Sequence, residues 1–313
     1  KGGVSYQRYT IRSFSVGRLE ALYGTLLNNP DDARSGGSGL DQLWRNGGLP
    51  NNYGYDIYGK ETDAAGLEGP KHPVHLSGYV QDKVEFKDLI VNAGLRFDYF
   101  DNDQRKFIDP LNPGYDPTNF TVLKSSTKKV PAFKAVSPRL GFSFPVTDRT
   151  VFHVQYGKFV QSPQLSTLYV GTAELARIFS GRNFINVPYA TSGLDPERAT
   201  QYEIGFTQQF TDFASFDITT FYKDIQGQIQ VDRVTTSTNS QAASYNLLQN
   251  GDYATTKGFE FTMRIRRIKR LQATFNYTMS DAQGTGSALT TALSTVEAGP
   301  QRPTVISPLS FIK

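Results

Sequence analysis

The chain has 313 residues, a formal net charge of +4, 38% apolar residues and 20% charged residues. That apolar content is thin for a thick soluble core, yet 22 Phe, 17 Tyr and 1 Trp make it rich in aromatics. No apolar run is long enough for a transmembrane helix. The absence of Cys excludes a disulfide framework, a thiolate metal site and a Cys nucleophile, and the small charge gives no nucleic-acid surface.

The chain opens Lys1-Gly2-Gly3, with no initiator Met and no signal peptide, so it is read as the middle of a longer polypeptide. Val4 to Arg12 is the first expected strand. Leu19 to Leu27 reads as a short helix, with Leu19, Leu22 and Leu26 at helical spacing and Asn28-Asn29-Pro30 as its stop. From there the signal is alternation of period two, which places successive side chains on opposite faces of a strand. Val74, Leu76, Gly78, Val80, Val84 and Phe86 alternate with His75, Ser77, Tyr79, Gln81, Lys83 and Glu85. Leu89, Val91, Ala93, Leu95, Phe97 and Tyr99 alternate with Ile90, Asn92, Gly94, Arg96 and Asp98. Val136 to Phe144 and Val151 to Lys158 alternate less cleanly. Thr172 to Phe179 is a weaker helix inside a loop. Tyr202 to Phe210, Ala214 to Tyr222, Phe259 to Ile265 and Leu271 to Met279 repeat the strand pattern, and Thr304 to Ile312 reads as the start of another.

The connections alternate too. Tight turns fall near Lys87-Asp88, Pro145 to Thr150, Thr211 to Phe213 and Arg267 to Arg270. Long polar loops run from Asp101 to Lys134, Gln161 to Thr200, Gln226 to Asp252 and Asp281 to Pro303. Short turns at one end and long loops at the other are the habit of membrane barrels. Strands of membrane-crossing length point the same way. So do aromatics near strand ends: Phe97, Tyr99, Phe100, Phe142, Phe144, Phe206, Phe210, Tyr222 and Tyr277. A β-sandwich also alternates, but turns its apolar face inward. The expected fold is all-β: part of an antiparallel transmembrane β-barrel of about ten strands, whose greasy face looks at lipid and whose polar face lines a wet interior.

A set of motifs then carries a family resemblance. In order they are Gly78-Tyr79-Val80-Gln81-Asp82-Lys83, Asn92-Ala93-Gly94-Leu95-Arg96-Phe97-Asp98-Tyr99, Ser137-Pro138-Arg139-Leu140-Gly141-Phe142 and Tyr156-Gly157-Lys158-Phe159. Leu194-Asp195-Pro196-Glu197, Tyr202-Glu203-Ile204-Gly205, Lys257-Gly258-Phe259-Glu260 and Tyr277-Thr278-Met279-Ser280-Asp281-Ala282 follow. Their order and spacing over Val74 to Gly284 resemble the barrel domain of TonB-dependent outer-membrane receptors. The long loops are similar to the Oar-like subgroup, whose members often carry a carboxypeptidase-regulatory-like domain upstream.

The resemblance implies transport of a bulky nutrient across the outer membrane of a Gram-negative bacterium. The implied partners are outer-membrane lipid, the protein's own plug domain, the TonB complex acting through that plug, and a surface lipoprotein. No cofactor, nucleic-acid partner or enzymatic activity is expected. Residues 1–313 would all belong to the barrel, with the plug and the C-terminal strands absent, since such barrels have twenty-two strands. A passive porin-like or adhesion barrel, or a soluble carbohydrate-binding β domain, is the rival reading.

Candidate site residues follow from the two faces and the loops. Arg96, Asp98, Arg139, Glu203, Glu260 and Arg264 stand on polar faces and would contact the plug or one another. Tyr115, Tyr169, Phe184, Tyr189 and Tyr245 are loop aromatics that could stack on substrate or pack the loops. His72, His75 and His153 lack metal-ligand spacing, and the latter two would point into the lumen. Asp98, Asp101, Asn102 and Asp103 lack a full calcium-loop spacing and read as a solvated loop root. The basic run Arg264, Arg266, Arg267, Lys269 and Arg270 reads as a charged short turn. Glu203 and Glu260 do not read as an acid/base pair.

Overall fold

A computed structural model describes residues 1–48, 50–64, 67–117, 121–179, 190–191, 193–237, 244–286 and 307–308. The strands are β1 Gly2–Arg8, β2 Ser13–Val16, β3 Pro50–Tyr53, β4 Val74–Phe86, β5 Leu89–Asp101, β6 Arg105–Phe107, β7 Tyr115–Asp116, β8 Thr121–Val122 and β9 Thr127–Lys129. They continue with β10 Phe133–Thr147, β11 Thr150–Gln161, β12 Ala190–Thr191, β13 Glu197–Thr211, β14 Ala214–Thr235, β15 Ser244–Ile268, β16 Leu271–Gly284 and β17 Ser307–Pro308. The helices are α1 Leu19–Asn28, α2 Pro30–Ser35, α3 Gly37–Leu43, α4 Leu165–Leu168 and α5 Thr172–Phe179. Both expected helices are present. Asn29 ends α1, and Pro30, which has no N–H to lose, starts α2 at its first position.

One antiparallel meander dominates, in the order β1-β4-β5-β10-β11-β13-β14-β15-β16-β17, with β12 pairing parallel to β15. Its wall strands pair with their sequence neighbours and the sheet is unclosed, since β1 pairs only β4 among the described residues. A thirteen-residue strand such as β4 spans about 44 Å along its axis, which at a tilt of about 45° crosses a bilayer's hydrocarbon core.

The register fixes the faces. Tyr79 opposes Arg96, Arg96 opposes Ser137, Arg139 opposes Gly157 and Gly157 opposes Gln201. This polar face lines a concave hollow of about 850 Å³ spanning β4, β5, β10, β11 and β13. The other face carries Val80, Leu95, Val136, Ile204 and Met279, which are 60%, 52%, 62%, 50% and 58% exposed. In the wall, apolar side chains therefore do not meet one another in a dry centre; they coat the outside. Such a coat is far larger than the apolar patches soluble monomers tolerate and suits acyl chains.

On that outer face two rows of aromatics cross neighbouring strands. Tyr156, Tyr202 and Tyr222 stand side by side across β11, β13 and β14, with centroids 5.2 and 6.4 Å apart. Nearer the short turns, Phe206, Phe216, Phe261 and Phe275 form a second row, with successive centroids 5.8, 6.1 and 6.1 Å apart. Phe100 departs from the expected girdle. Its parity on β5 puts it on the polar face, edge-on to His75 at 4.9 Å and stacked near Phe133 at 6.3 Å.

The four tight turns lie at one end and the long loops at the other. One expected loop is different: Gln226 to Asp252 is mostly strand. β14 and β15 have 22 and 25 residues and stay paired to Thr235 and Ser244, far past the end of β13. Register shifts around Gln228, beside Gly227 at φ 74, mark where this hairpin leaves the wall; a side chain would strain that backbone. The expected strand from Thr304 lies outside the described residues apart from Ser307–Pro308.

The buried hydrophobic clusters lie in the loops, on the two faces of this hairpin. On one face Val231 and Leu248 pack with Tyr53, Leu168, Tyr169 and Leu194. On the other, Tyr245 and Leu247 pack with Phe107, Val122, Ile178 and Phe179.

Candidate lumen wall and loop cap

The polar face of the wall is built on glycines. Gly205 lies where a Cβ would come within 2.6 Å of the His153 imidazole and of Thr219 Oγ1, and 2.5 Å of the Ile218 carbonyl. Gly258 opposes Phe221, and a Cβ there would meet the Met279 carbonyl at 2.3 Å and the Phe221 ring at 2.9 Å. Gly3 opposes Tyr79, whose ring lies 2.6 Å from where its Cβ would be. These side chains occupy the space a Cβ would fill, and such cross-strand contacts stabilise glycine in a strand. Three of the motif glycines thus have a local reason, since the ring over Gly157 belongs to Phe159. Sequence reading missed the pairs at Gly205, Gly258 and Gly3 because their partners lie on different strands.

The charged residues of this face are mostly engaged. Arg96 donates from Nε to both Asp98 carboxylate oxygens at 2.9 and 3.0 Å and from Nη2 at 2.9 Å. Asp98 is 2% exposed, so its charge is buried beside its partner. The Arg139 guanidinium sits 4.7 Å from the Phe159 ring centroid. Gln201 Nε2 donates to Glu203 Oε1 at 2.5 Å. Arg139, Gln201 and Glu203 share the hollow with His153 and Gln155. Glu260, opposite Thr219 and Thr278, has the same parity two strands beyond Glu203, and Arg264 stands near the short turn between β15 and β16. Glu203 and Glu260 are thus separated by β14, with no geometry that pairs them.

His75 and His153 both fall on the polar face. His75 Nε2 is 2.7 Å from Asn102 Oδ1, and His153 Nε2 is 3.2 Å from Thr219 Oγ1, which donates to Asp217 at 3.2 Å. The acidic root of the loop after β5 is already satisfied. Lys129 Nζ donates to Asp101 Oδ2 at 2.9 Å, the Asp103 amide donates to Asp101 Oδ1 at 3.0 Å, and the His72 amide donates to Asp103 Oδ2 at 2.9 Å. No cluster that could hold a metal ion occurs among the described residues. Asp98 is buried under Arg96 and is not part of a solvated root.

The loop aromatics are placed as follows. Tyr169 is 5% exposed, with its ring 5.7 Å from Tyr53 and its hydroxyl donating to the Asn102 carbonyl at 2.6 Å. Burial pushes its pKa up. Tyr245 is 2% exposed, edge-on to Phe179 at 4.8 Å, and donates to the Pro110 carbonyl at 2.8 Å. Both rings are covered by neighbouring loop residues. Tyr115 is half-buried against the same cluster as Tyr245. Phe184 and Tyr189 lie outside the described residues.

A clamp holds the loop cap to the wall at Leu194-Asp195. Gln104 Nε2 donates to the Leu194 carbonyl at 3.0 Å while the Leu194 amide donates to Gln104 Oε1 at 2.9 Å. On the other side Asn250 accepts from the Asp195 amide at 2.8 Å and donates to the Asp195 carbonyl at 2.9 Å. Two side-chain amides thus copy the pairing a neighbouring strand would give, just before Pro196, which has no N–H to offer.

The sequence from residue 2 to residue 310 matches the family described as TonB dependent receptor-like, beta-barrel. The chain belongs to this family of TonB-dependent receptor barrels. Solved structures similar to it include the FrpB iron transporter from Neisseria meningitidis, F5-1 variant (15% identity, 90% of this chain and 33% of that one, TM-score 0.48). Others are a mutant of the ferric enterobactin receptor PfeA from Pseudomonas aeruginosa (16%, 74% and 32%, 0.46) and the copper transporter OprC (14%, 75% and 36%, 0.40). The chain spans about a third of the length of these structures. Among curated proteins, none matches the chain. The TonB-dependent receptor barrel is thus represented here by an unclosed arc of wall with its loops.

Proposed function

We propose that this chain is a segment of the barrel wall and surface loops of an outer-membrane, TonB-dependent transporter for a bulky nutrient. In this reading all of residues 1–313 belong to the barrel, and the plug and remaining strands are supplied by the rest of the polypeptide. The observation that carries it is the division of faces: a polar, concave side with a hollow of about 850 Å³ and an apolar side left open. Long loops gathered at one end support a recognition surface there. The unclosed sheet supports a shared wall, because unpaired backbone in lipid costs several kcal/mol per group.

The plug would sit against Arg139, Gln201, Glu203 and Glu260, with Arg96 held in place by Asp98. Energy would come from the TonB complex pulling on the plug. Tyr115, Phe184 and Tyr189 remain substrate-contact candidates in the loops, whereas Tyr169 and Tyr245 support the shape of the loops. A surface lipoprotein is a further partner in keeping with the family. The test uses the complete natural protein in cells. Uptake should disappear with the receptor gene, with TonB, or with a protonophore; uptake that persists without TonB or proton-motive force would make the protein a passive barrel instead.

A further inference from the structure

Three of the four short turns carry or adjoin a carboxylate. Lys87 is followed by Asp88, Asp148 by Arg149, and Arg149 Nη2 bridges to Asp212 of the next turn at 2.9 Å. The fourth turn, between β15 and β16, is different. Arg264, Arg266, Arg267, Lys269 and Arg270 crowd into seven residues and all are exposed. Among the described residues none of the five meets a carboxylate: Asp212 is held by Arg149, and Glu260 lies further up the same strand. Only Arg267 has a side-chain hydrogen bond, from Nε to the Lys269 carbonyl at 3.1 Å.

Two features show that this charge is built into the turn. A register shift between Ile265 and Ile268 sets Arg266 and Arg267 against Gln272, so the strand gains one extra cation at the rim. Lys269 holds φ 57, a left-handed conformation that Gly or Asn would adopt without strain, yet a cation stands there. Around the cluster the outer face is greasy: Ile268, Leu271 and Phe213 are 39%, 65% and 45% exposed. Unpaired guanidinium groups next to lipid-facing side chains meet one abundant counter-ion, the phosphodiester at the membrane surface, which an Arg fork fits with two parallel hydrogen bonds.

We propose that the Arg266–Arg270 part of this turn is a docking site for anionic phospholipid headgroups in the leaflet that faces the short turns, whereas Arg264 shares the parity of Glu260 and belongs to the polar face. This rests on the membrane reading above. The aliphatic stems would lie along the apolar rim while the charged ends reach the phosphates.

The experiment uses the full-length protein in detergent, titrated with phosphatidylglycerol or with phosphatidylcholine of the same acyl chains and read by native mass spectrometry. The wild type should bind phosphatidylglycerol about tenfold more tightly. The variant Arg266→Gln/Arg267→Gln/Lys269→Asn/Arg270→Gln should lose most of that preference, Lys269→Asn alone should lose roughly two- to fivefold, and Arg149→Gln should change nothing. Heat-modifiable migration reports folding; Lys269→Asn, which relieves backbone strain, decides the matter should the fourfold variant misfold. The proposal is overturned by an undiminished preference in the variants, or by equal loss in Arg149→Gln. Displacement of the lipid by soluble glycerol phosphate would also overturn it, as would crosslinking of the turn to an acidic protein with the lipid preference unchanged. A protein that does not enter bilayers at all would instead overturn the membrane reading, which reconstitution shows separately.

Discussion

The wall and the loop cap solve the burial problem in opposite ways. In the wall, Val80, Leu95 and Val136 are more than half exposed, so the apolar atoms there are stabilised by what surrounds the protein. In the cap, Phe179, Leu194, Val231 and Tyr245 are at most 2% exposed, and the stabilisation comes from side chains packed on one another as in a soluble core. The hairpin of β14 and β15 passes from one regime to the other within a single pair of strands. Below Gly227 one of its faces is apolar; above it both faces carry buried apolar side chains. The difference teaches that hydrophobic residues in this chain do two jobs, and that only their neighbours tell which.

The largest expected effect breaks the cap alone. Tyr245→Ala removes a ring packed on Phe107 and Phe179 and frees the Pro110 carbonyl, at a cost of about 4 kcal/mol. In the full-length protein, limited proteolysis should cut the loops while heat-modifiable migration stays normal; loss of both would mean that wall and cap fold as one unit. Next, Ile204→Arg on the lipid face should cost about 3 kcal/mol of folding stability in bilayers. Gln155→Arg, one strand away on the polar face, should cost less than about 1 kcal/mol. Equal costs would erase the distinction between faces.

A third effect reads the cap through pH. Burial lowers the Lys71 pKa to about 8, against some support from Asp103, and its Nζ donates to the Leu67 carbonyl at 2.8 Å. The unfolded chain, with an ordinary Lys, binds more protons between pH 8 and about 10.5, so cap stability should rise with pH across that window. At neutral pH the full cost, on the order of 3 kcal/mol, is present. Lys71→Met should flatten the profile, measured as proteolytic half-life of the loops; an unchanged slope would assign it to another group. The smallest effect is Gln104→Ala, which leaves the Leu194 amide and carbonyl without their partner at a cost of about 1–2 kcal/mol. It should loosen the start of β13 in hydrogen exchange without moving the wall below it.

Much of the wall was legible in the sequence. The bounds of β4 were readable to the residue, because its apolar residues alternate with polar ones along the strand, with Asp82 the one charge on the apolar row. The same rule explains the failure at Gln226 to Asp252. Val231 and Leu248 face one cluster while Tyr245 and Leu247 face another, so both faces are buried and the alternation disappears. Phe100 shows the limit of the aromatic-girdle rule: it stands near a strand end, but its parity puts it on the polar face against His75. For the candidate site, the sequence could place Arg96, Arg139 and Glu203 on one face but not find that Asp98 is buried under Arg96, or that Phe159 lies by Arg139. Tyr169 and Tyr245 were visible as loop aromatics, yet whether a ring is offered or covered depends on chain segments far away in sequence.

What the sequence determined by itself is local: the period of two, the turns, the parity of each charge and hence the two faces of the wall. Only the tertiary structure decided which glycine lies under which ring, which loop aromatics are consumed in packing, and that the dry core sits in the loops. The physical reason is range. Parity is set between adjacent residues by backbone geometry, whereas burial is set by contacts such as Gln104 to Leu194 and Tyr245 to Pro110, whose partners lie 90 and 135 residues apart.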